Sequence, residues 1–248
     1  MCNGIVQTAV ASSPVGLVPG TLLRGRDYAE LIPYFRPRTK KALLIGVGGG
    51  LHARGLGAYG IAVRGVEIEP AVVALATEFF GLDCDVTIAD GRAFLAATSD
   101  RFDAIVLDAF CGGTPAEHLH TREAFTRMAD CLTTGGLLAV HLISRPRHPA
   151  TRAVARTLEA AFPQVTAVRS GLGEGLQHVY LFASHEPLEL LPEQLLTLAG
   201  YGFTGQEFFV VDTQSAPVLT DDRTCLAVWA CELAAEHRRN SVAGRLVR

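Results

Sequence analysis

Four acidic and glycine-rich points along the chain could do chemistry together. The apolar run Lys41–Ile45 leads into Gly46-Val47-Gly48-Gly49-Gly50. Glycines let a backbone approach a ligand closely, so a strand, this loop and a following helix make a candidate nucleotide cradle. A dinucleotide fingerprint asks for a third glycine where Leu51 stands, so a pyrophosphate ligand fits poorly and a nicotinamide dehydrogenase is disfavoured. Glu67 lies 21 residues after Gly46 and closes a second apolar run, where a carboxylate can accept both hydroxyls of a ribose. Asp90, just before Gly91, closes a third run, and Asp108 closes a fourth, Phe102–Asp108. One acid at a strand end is commonly a solvated cap. Three of them beside a glycine loop mark a ligand site at the carboxyl edge of a sheet.

The elements that must position these groups alternate. Strands are expected at Lys41–Ile45, Ile61–Ile68, Asp85–Ala89, Phe102–Asp108 and Leu137–Ile143, with a closing pair at Val165–Ser170 and Val179–Ala183. Helices are expected from Pro70 to Phe80, Gly91 to Thr98, Thr121 to Leu132, Ala150 to Phe162 and Asp222 to Glu236. Pro70 suits a first helical turn, where its missing N–H costs nothing, and Thr121 is a candidate N-cap. Such alternation calls for an α/β fold, a mostly parallel sheet with helices on both faces. Three regions follow: a lead segment over 1–40 that could cover the pocket, a ligand-binding core over 41–184, and a C-terminal helical extension over 185–248 packed on that core. There is no internal repeat.

Composition narrows the function. The 248 residues are 49% hydrophobic and 19% charged, enough for a large core and too apolar for a disordered chain. A net charge of -3 gives no basic excess for nucleic acid. The apolar runs are shorter than the roughly 20 residues a bilayer helix needs, and the first residues do not resemble a signal peptide. The six cysteines, at positions 2, 84, 111, 131, 225 and 231, form no Cys-x-x-Cys pair. They are expected to be buried free thiols in a cytoplasmic protein, with no metal site.

Taken in order, these motifs resemble a family. Leu44-Ile45-Gly46-Val47-Gly48-Gly49-Gly50, Val66-Glu67-Ile68-Glu69-Pro70, Ala89-Asp90-Gly91-Arg92, Phe102–Phe110 and Pro115–Glu123 are similar to the spermidine synthase-like branch (polyamine aminopropyltransferases) of the class I S-adenosylmethionine-dependent methyltransferase fold. The resemblance implies a Rossmann-like sheet of seven strands. It implies that Gly46, Gly48, Gly49 and Gly50 cradle the donor, that Glu67 binds its ribose, and that Asp90 with Gly91 binds the adenine edge. Asp108 matches the family's catalytic aspartate, which also borders the donor and takes a proton from, or orients, the attacking amine. A sulfonium is already a strong electrophile, so the protein's task is to position a neutral amine and stabilise charge beside it.

The sequence departs from the family at two acids. Gly49 stands where the aminopropyltransferases carry an aspartate in the loop, and Cys111 stands where they carry a second acid. Fewer carboxylates weaken a site for a polycation and leave room for the carboxylate of intact S-adenosylmethionine. The expected reaction is therefore methyl transfer from S-adenosylmethionine to a small amine. The alternatives are aminopropyl transfer from decarboxylated S-adenosylmethionine to a polyamine and a non-catalytic nucleotide-binding partner. Arg54, or the backbone N–H groups at the start of the following helix, could hold the donor carboxylate. His118, Tyr28 and Asp221 are candidates for the acceptor side, with His120, His141 and Asp222 behind them. Cys111 has no evident base to make it a nucleophile. A homodimer is the default assembly, with Leu188–Leu198 as a possible contact stretch.

Overall fold

The computed structural model describes residues 28–111 and 113–243. Ten strands appear among them: β1 (Lys41–Ile45), β2 (Ala62–Glu67), β3 (Asp85–Ile88), β4 (Phe102–Leu107), β5 (Phe110–Cys111), β6 (Thr114–Pro115), β7 (Leu132–Ser144), β8 (Gln164–Arg169), β9 (Gln177–Ser184) and β10 (Phe208–Phe209). Eight build one sheet in the order β10-β8-β9-β7-β4-β1-β2-β3, and β5 pairs with β6 as a separate hairpin. The run from β3 to β7 is parallel, while β9, β8 and β10 add on antiparallel. The sheet thus has one strand more than the seven expected. Its two-residue β10 was too short to carry a periodic signal. The hairpin directly after Asp108 was also missed, and for the same reason.

Around the sheet lie α1 (Ile32–Phe35), α2 (Leu51–Gly57), α3 (Pro70–Phe80), α4 (Gly91–Ala97), α5 (Arg122–Cys131), α6 (Pro149–Glu159), α7 (Pro192–Ala199) and α8 (Leu226–Ala243). Local chemistry sets several of their ends. The Glu69 carboxylate accepts from Ala71 N–H, Pro70 opens α3, and Gly81 closes it in the left-handed conformation. Asp90 caps α4 through Ala93 N–H, and Thr121 caps α5 through Ala124 N–H. Helix α8 begins at Leu226 rather than Asp222 and runs on past Glu236. Asp221 and Thr220 are instead held in a turn, where Thr220 pairs with Arg223.

Alternation along the strands feeds two cores. Leu43 and Ile45 of β1 join Ile105, Leu107, Phe125 and Met128 on one face, while Ala42 and Leu44 join Val106, Phe35 and Phe182 on the other. Fully burying a side chain the size of Leu or Phe is worth about 1.5–3 kcal/mol, so the strands stay where both faces are covered. Tyr28 and the residues to Phe35 belong to the second core, which makes this part of the lead segment structural rather than a cover. The remainder of the lead segment, residues 1–27, lies outside the described residues, as does the basic end beyond 243. The stretch Leu188–Leu198 is mixed: Leu198 is fully buried, and Leu191, Leu195 and Leu196 are exposed. No helix among the described residues is long and apolar enough to cross a membrane. The thiols depart from expectation, because only Cys131 is buried, Cys84 and Cys225 are half-buried, and Cys111 and Cys231 are exposed; all five are free. Cys2 lies outside the described residues.

The neighbours of β1 split the sheet: β2 and β3 lie on one side, β4 and β7 on the other. Ligands of open α/β sheets bind above such a switch point. The backbone continues the pairing there, with Asp108 N–H donating to Ile45 carbonyl and Gly46 N–H donating to Val66 carbonyl. Gly46 sits at φ 85°, and a Cβ there would lie 2.4 Å from the Asp108 carbonyl oxygen. Gly81, at φ 67°, has open space instead. Gly46→Ala is therefore expected to cost more than ~2 kcal/mol, combining left-handed strain with a backbone clash, against about 1–2 kcal/mol for Gly81→Ala. Denaturant midpoints measure both, and equal losses would contradict the close approach.

Candidate active site

Asp108 follows β4 at the switch point, and its carboxylate is held between two imidazoles. His141 Nδ1 lies 2.6 Å from Oδ1, and His52 Nδ1 lies 3.3 Å from Oδ2. The strands dictate the first contact, because Leu107 of β4 pairs with Val140 of β7 and the next residues stand side by side. The glycine loop dictates the second by starting α2 directly beside Asp108. Burial pushes the Asp108 carboxyl up, but the charges and N–H groups of His141 and His52 outweigh it and hold it well below the usual carboxylate range. Asp108 stays an anion, and about a quarter of its side chain remains open to solvent.

The histidines are themselves anchored. The His141 ring stacks on Tyr180, 4.6 Å between centroids, and its Nε2 lies 2.9 Å from Nδ1 of the exposed His178. Tyr180 Oη reaches His52 Nε2 at 3.5 Å. Behind Tyr180 sits Tyr28, 2% exposed and edge-on to both Tyr180 and Phe203. Tyr28 is thus a packing residue two rings away from Asp108, and its expected place against the acceptor is not what this arrangement gives.

The second acid along the chain, Glu67, turns back on the glycine loop. Its Oε2 accepts from Val47 N–H at 3.0 Å and its Oε1 from Glu69 N–H at 3.1 Å. A carboxylate has about four lone-pair sites, so two such bonds leave capacity for a pair of hydroxyls. Gly48 and Gly50 join Gly46 at positive φ, which fixes the loop's path from β1 into α2.

A separate group forms around the third acid. Asp90 Oδ2 lies 2.8 Å from His118 Nε2. Burial raises the Asp90 carboxyl, yet Ala93 N–H and His118 more than offset it and leave it below its ordinary value. Arg92 ties this corner together, donating to His118 carbonyl, Thr121 hydroxyl and both oxygens of Asp221. Bonds from Arg92 and Thr121 hold the Asp221 carboxyl below its usual range. A cavity of about 740 Å³ opens here, lined by Arg92, Cys111, Pro115, Glu117, His118 and Asp221 among others. Gly91, next to Asp90, packs against Ile45 and Leu119, and a Cβ there would meet Ile45 at 2.6 Å.

The expected residues therefore fall into two groups, with Asp108 beside the glycine loop, and His118 and Asp221 lining the cavity, where His118 meets Asp90. Two expectations are corrected. Arg54 donates to Phe80 carbonyl at the end of α3 rather than reaching towards a donor carboxylate. His120 is 1% exposed, packed edge-on against Phe125, and faces the core rather than an acceptor. Sequence reasoning did not single out His52, His178 or Arg92. His141 carried a usable signal, as the one ionisable side chain in the apolar stretch Leu137–Ile143.

Residues 28–183 match the sequence profile of the spermine/spermidine synthase domain. The chain belongs to that family. A probable polyamine aminopropyl transferase of Bifidobacterium longum (strain NCC 2705) is 34% identical over 142 residues, which is 55% of this chain and 32% of that protein. An N-terminal histidine N-methyltransferase of Emericella nidulans is 33% identical over 129 residues, 49% of this chain and 23% of that protein. The chain thus spans a third or less of the length of these relatives. Among solved structures, a probable spermidine synthase from Corynebacterium glutamicum superposes with a TM-score of 0.67 at 16% identity, covering 88% of this chain and 86% of that one. The shared fold is the mostly parallel α/β sheet common to this family and to class I methyltransferases.

The buried His120 yields a pH prediction. Its Nδ1 donates to Ala116 carbonyl, its Nε2 meets no hydrogen-bond partner among the described residues, and burial lowers its pKa to about 4. The unfolded chain binds a proton near pH 6.5, while the folded chain resists until about 4. Stability from this group is present above pH 6.5 and is lost as pH falls towards 4, by roughly 3 kcal/mol. Denaturant melts of His120→Gln, which keeps a donor for Ala116, are expected to lack that part of the acid loss. Parallel pH curves for the two proteins would contradict it.

Proposed function

We propose that this chain transfers an aminopropyl group from decarboxylated S-adenosylmethionine to a small amine. The observation that carries the reading is the Asp108 carboxylate, kept ionised beside the glycine loop at the switch point of a spermine/spermidine synthase domain. The donor fits the residues present. Gly46, Gly48, Gly49 and Gly50 offer backbone close to the ligand, Glu67 offers lone pairs for the ribose, and Asp90 with Gly91 offers an edge for adenine. When bound, the donor supplies an electrophilic carbon next to a positively charged sulfur. Asp108 accepts a hydrogen bond from the acceptor's nitrogen and stabilises the positive charge growing on it, which is electrostatic and positional catalysis. His118 and Asp221, in the neighbouring cavity wall, shape the rest of the ligand site.

A second reading keeps the fold and the donor site but transfers methyl from intact S-adenosylmethionine. Gly49 favours it, since no carboxylate stands in the loop to repel the donor's own. The family and the B. longum relative favour the first reading. The methyl-transfer expectation rests on Gly49 and Cys111, and Arg54, one of its two candidates for holding the donor carboxylate, donates to Phe80 carbonyl instead.

Calorimetric titration with each donor separates the readings. Tighter binding of the decarboxylated form, with release of 5′-methylthioadenosine when an amine is added, is the expected result. Preference for intact S-adenosylmethionine would replace the first reading with the second. Asp108→Asn is expected to lower turnover at least ~100-fold while donor affinity stays within a few-fold. Unchanged turnover in that variant would remove Asp108 from the chemistry.

A further inference from the structure

The cavity next to the Asp90 corner has walls of two origins. One is built by Cys111, Thr114 and the residues up to Thr121, with Arg92 of α4, all inside the matched family domain over residues 28–183. The other is Asp221, Thr224 and Ala227, which lie beyond the matched residues. Hydrogen bonds stitch the second wall to the first. Arg122 N–H donates to Leu219 carbonyl and Asp221 N–H to Glu123, while Arg92 and Thr121 hold the Asp221 carboxylate. Glu117 Oε1 accepts from Ala227 N–H at 2.6 Å and from the Thr224 hydroxyl at 3.1 Å, which satisfies the open start of α8.

The same bonds decide what the cavity can hold. The charged side chains in its wall already meet protein partners: Arg92 meets Asp221, and Glu117 meets the start of α8. His118 likewise meets Asp90. A ligand that took one of these groups would break an existing bond to form its own, for little net gain. The rest of the wall is small: Cys111, Thr114, Pro115, Ala116, Thr224 and Ala227. Small side chains around about 740 Å³ leave room for a bulky group, and a wall whose charges are paired suits an uncharged one. A linear polyamine is drawn instead by unpaired carboxylates.

The cavity is also within reach of Asp108. Cys111 is three residues further along the chain, and three residues span at most about 10 Å. Thr114 and Pro115 pair with Cys111 and Phe110 in the β5–β6 hairpin, so this wall is anchored directly after Asp108. The glycine loop and Glu67, which hold the donor in the reading above, line no part of the cavity among the described residues. An amine whose nitrogen bonds to Asp108 therefore has the cavity for its body.

We propose that the cavity binds the body of the acceptor, and that this acceptor is an amine carried on a bulky, uncharged group, as in an arylalkylamine, rather than a linear polyamine. This rests on the amine-transfer reading above. Thr224 and Ala227, from outside the matched family domain, then set the size of acceptor that is admitted.

Turnover with decarboxylated S-adenosylmethionine, comparing phenethylamine with putrescine, tests the choice of acceptor. Phenethylamine is expected to have the higher kcat/KM by at least ~10-fold, the scale on which a shaped apolar pocket discriminates. Filling the cavity should remove that preference. In Ala227→Val and Ala227→Phe the ratio of the two kcat/KM values is expected to fall stepwise, by at least ~10-fold at the larger substitution, while the donor KM moves less. Circular dichroism melts identify a variant that fails to fold, and the smaller substitution then carries the test. Preference for putrescine in the native protein, or a ratio indifferent to position 227, would overturn the assignment and leave the proposed function standing.

A binding measurement separates the two failures. In the methyl-labelled full chain holding 5′-methylthioadenosine, phenethylamine is expected to shift the methyl NMR signals of Thr114, Thr224 and Ala227. Unmoved signals would overturn the assignment whatever the turnover. Shifted signals without transfer to either amine would sink the proposed function and leave the cavity as a binding site for an amine of this class.

Discussion

The Asp108 carboxylate, ionised between two imidazoles at the switch point of the sheet, is the interaction around which the site is organised. Removing an anion from water is costly unless donors replace the lost hydration. Here β7 delivers His141 through its pairing with β4, and the glycine loop delivers His52 by opening α2 at the right place. Gly46 lets the loop pass against the Asp108 backbone, which no residue with a Cβ could do without movement. Tyr180 and Tyr28 then pack behind the histidines, so the second core also fixes the imidazole orientations.

This arrangement changes what a missing acid means. Gly49 and Cys111 leave the site with fewer negative charges than its family resemblance leads one to expect. Asp108 is instead held by His141 and His52, and His141 in turn meets His178. Fewer carboxylates weaken the attraction of the site for a polycation.

Much of the fold was legible in the sequence, because buried parallel strands and capped helices leave strong local marks. The runs Lys41–Ile45 and Phe102–Asp108, the Pro70 and Thr121 helix starts, and the acids at three strand ends all lie where the patterns place them. Elements held mainly by tertiary contacts were not legible. β10 is two residues long and exists only because β8 offers an edge, and the start of α8 depends on Arg92 and Thr121 holding Asp221 in a turn. In the site, the donor-side acids were readable from spacing, whereas the partners of Asp108 were not. His52, His141 and His178 are 126 residues apart from first to last, and only the strand register brings them together. Arg54 and His120 show the converse error, since a charged or titratable type says nothing about which way its side chain points.

The measurement closest to the centre of this account is a carbon-13 NMR titration of the Asp108 carboxyl. In the native protein its chemical shift should stay that of a carboxylate throughout the range in which ordinary aspartates protonate. In a His52→Gln, His141→Gln double variant, protonation should return to near pH 4 or rise above it, since burial then acts without opposing donors. A native Asp108 that titrates near pH 4 would contradict the account, because the anion around which the site is built would not be held.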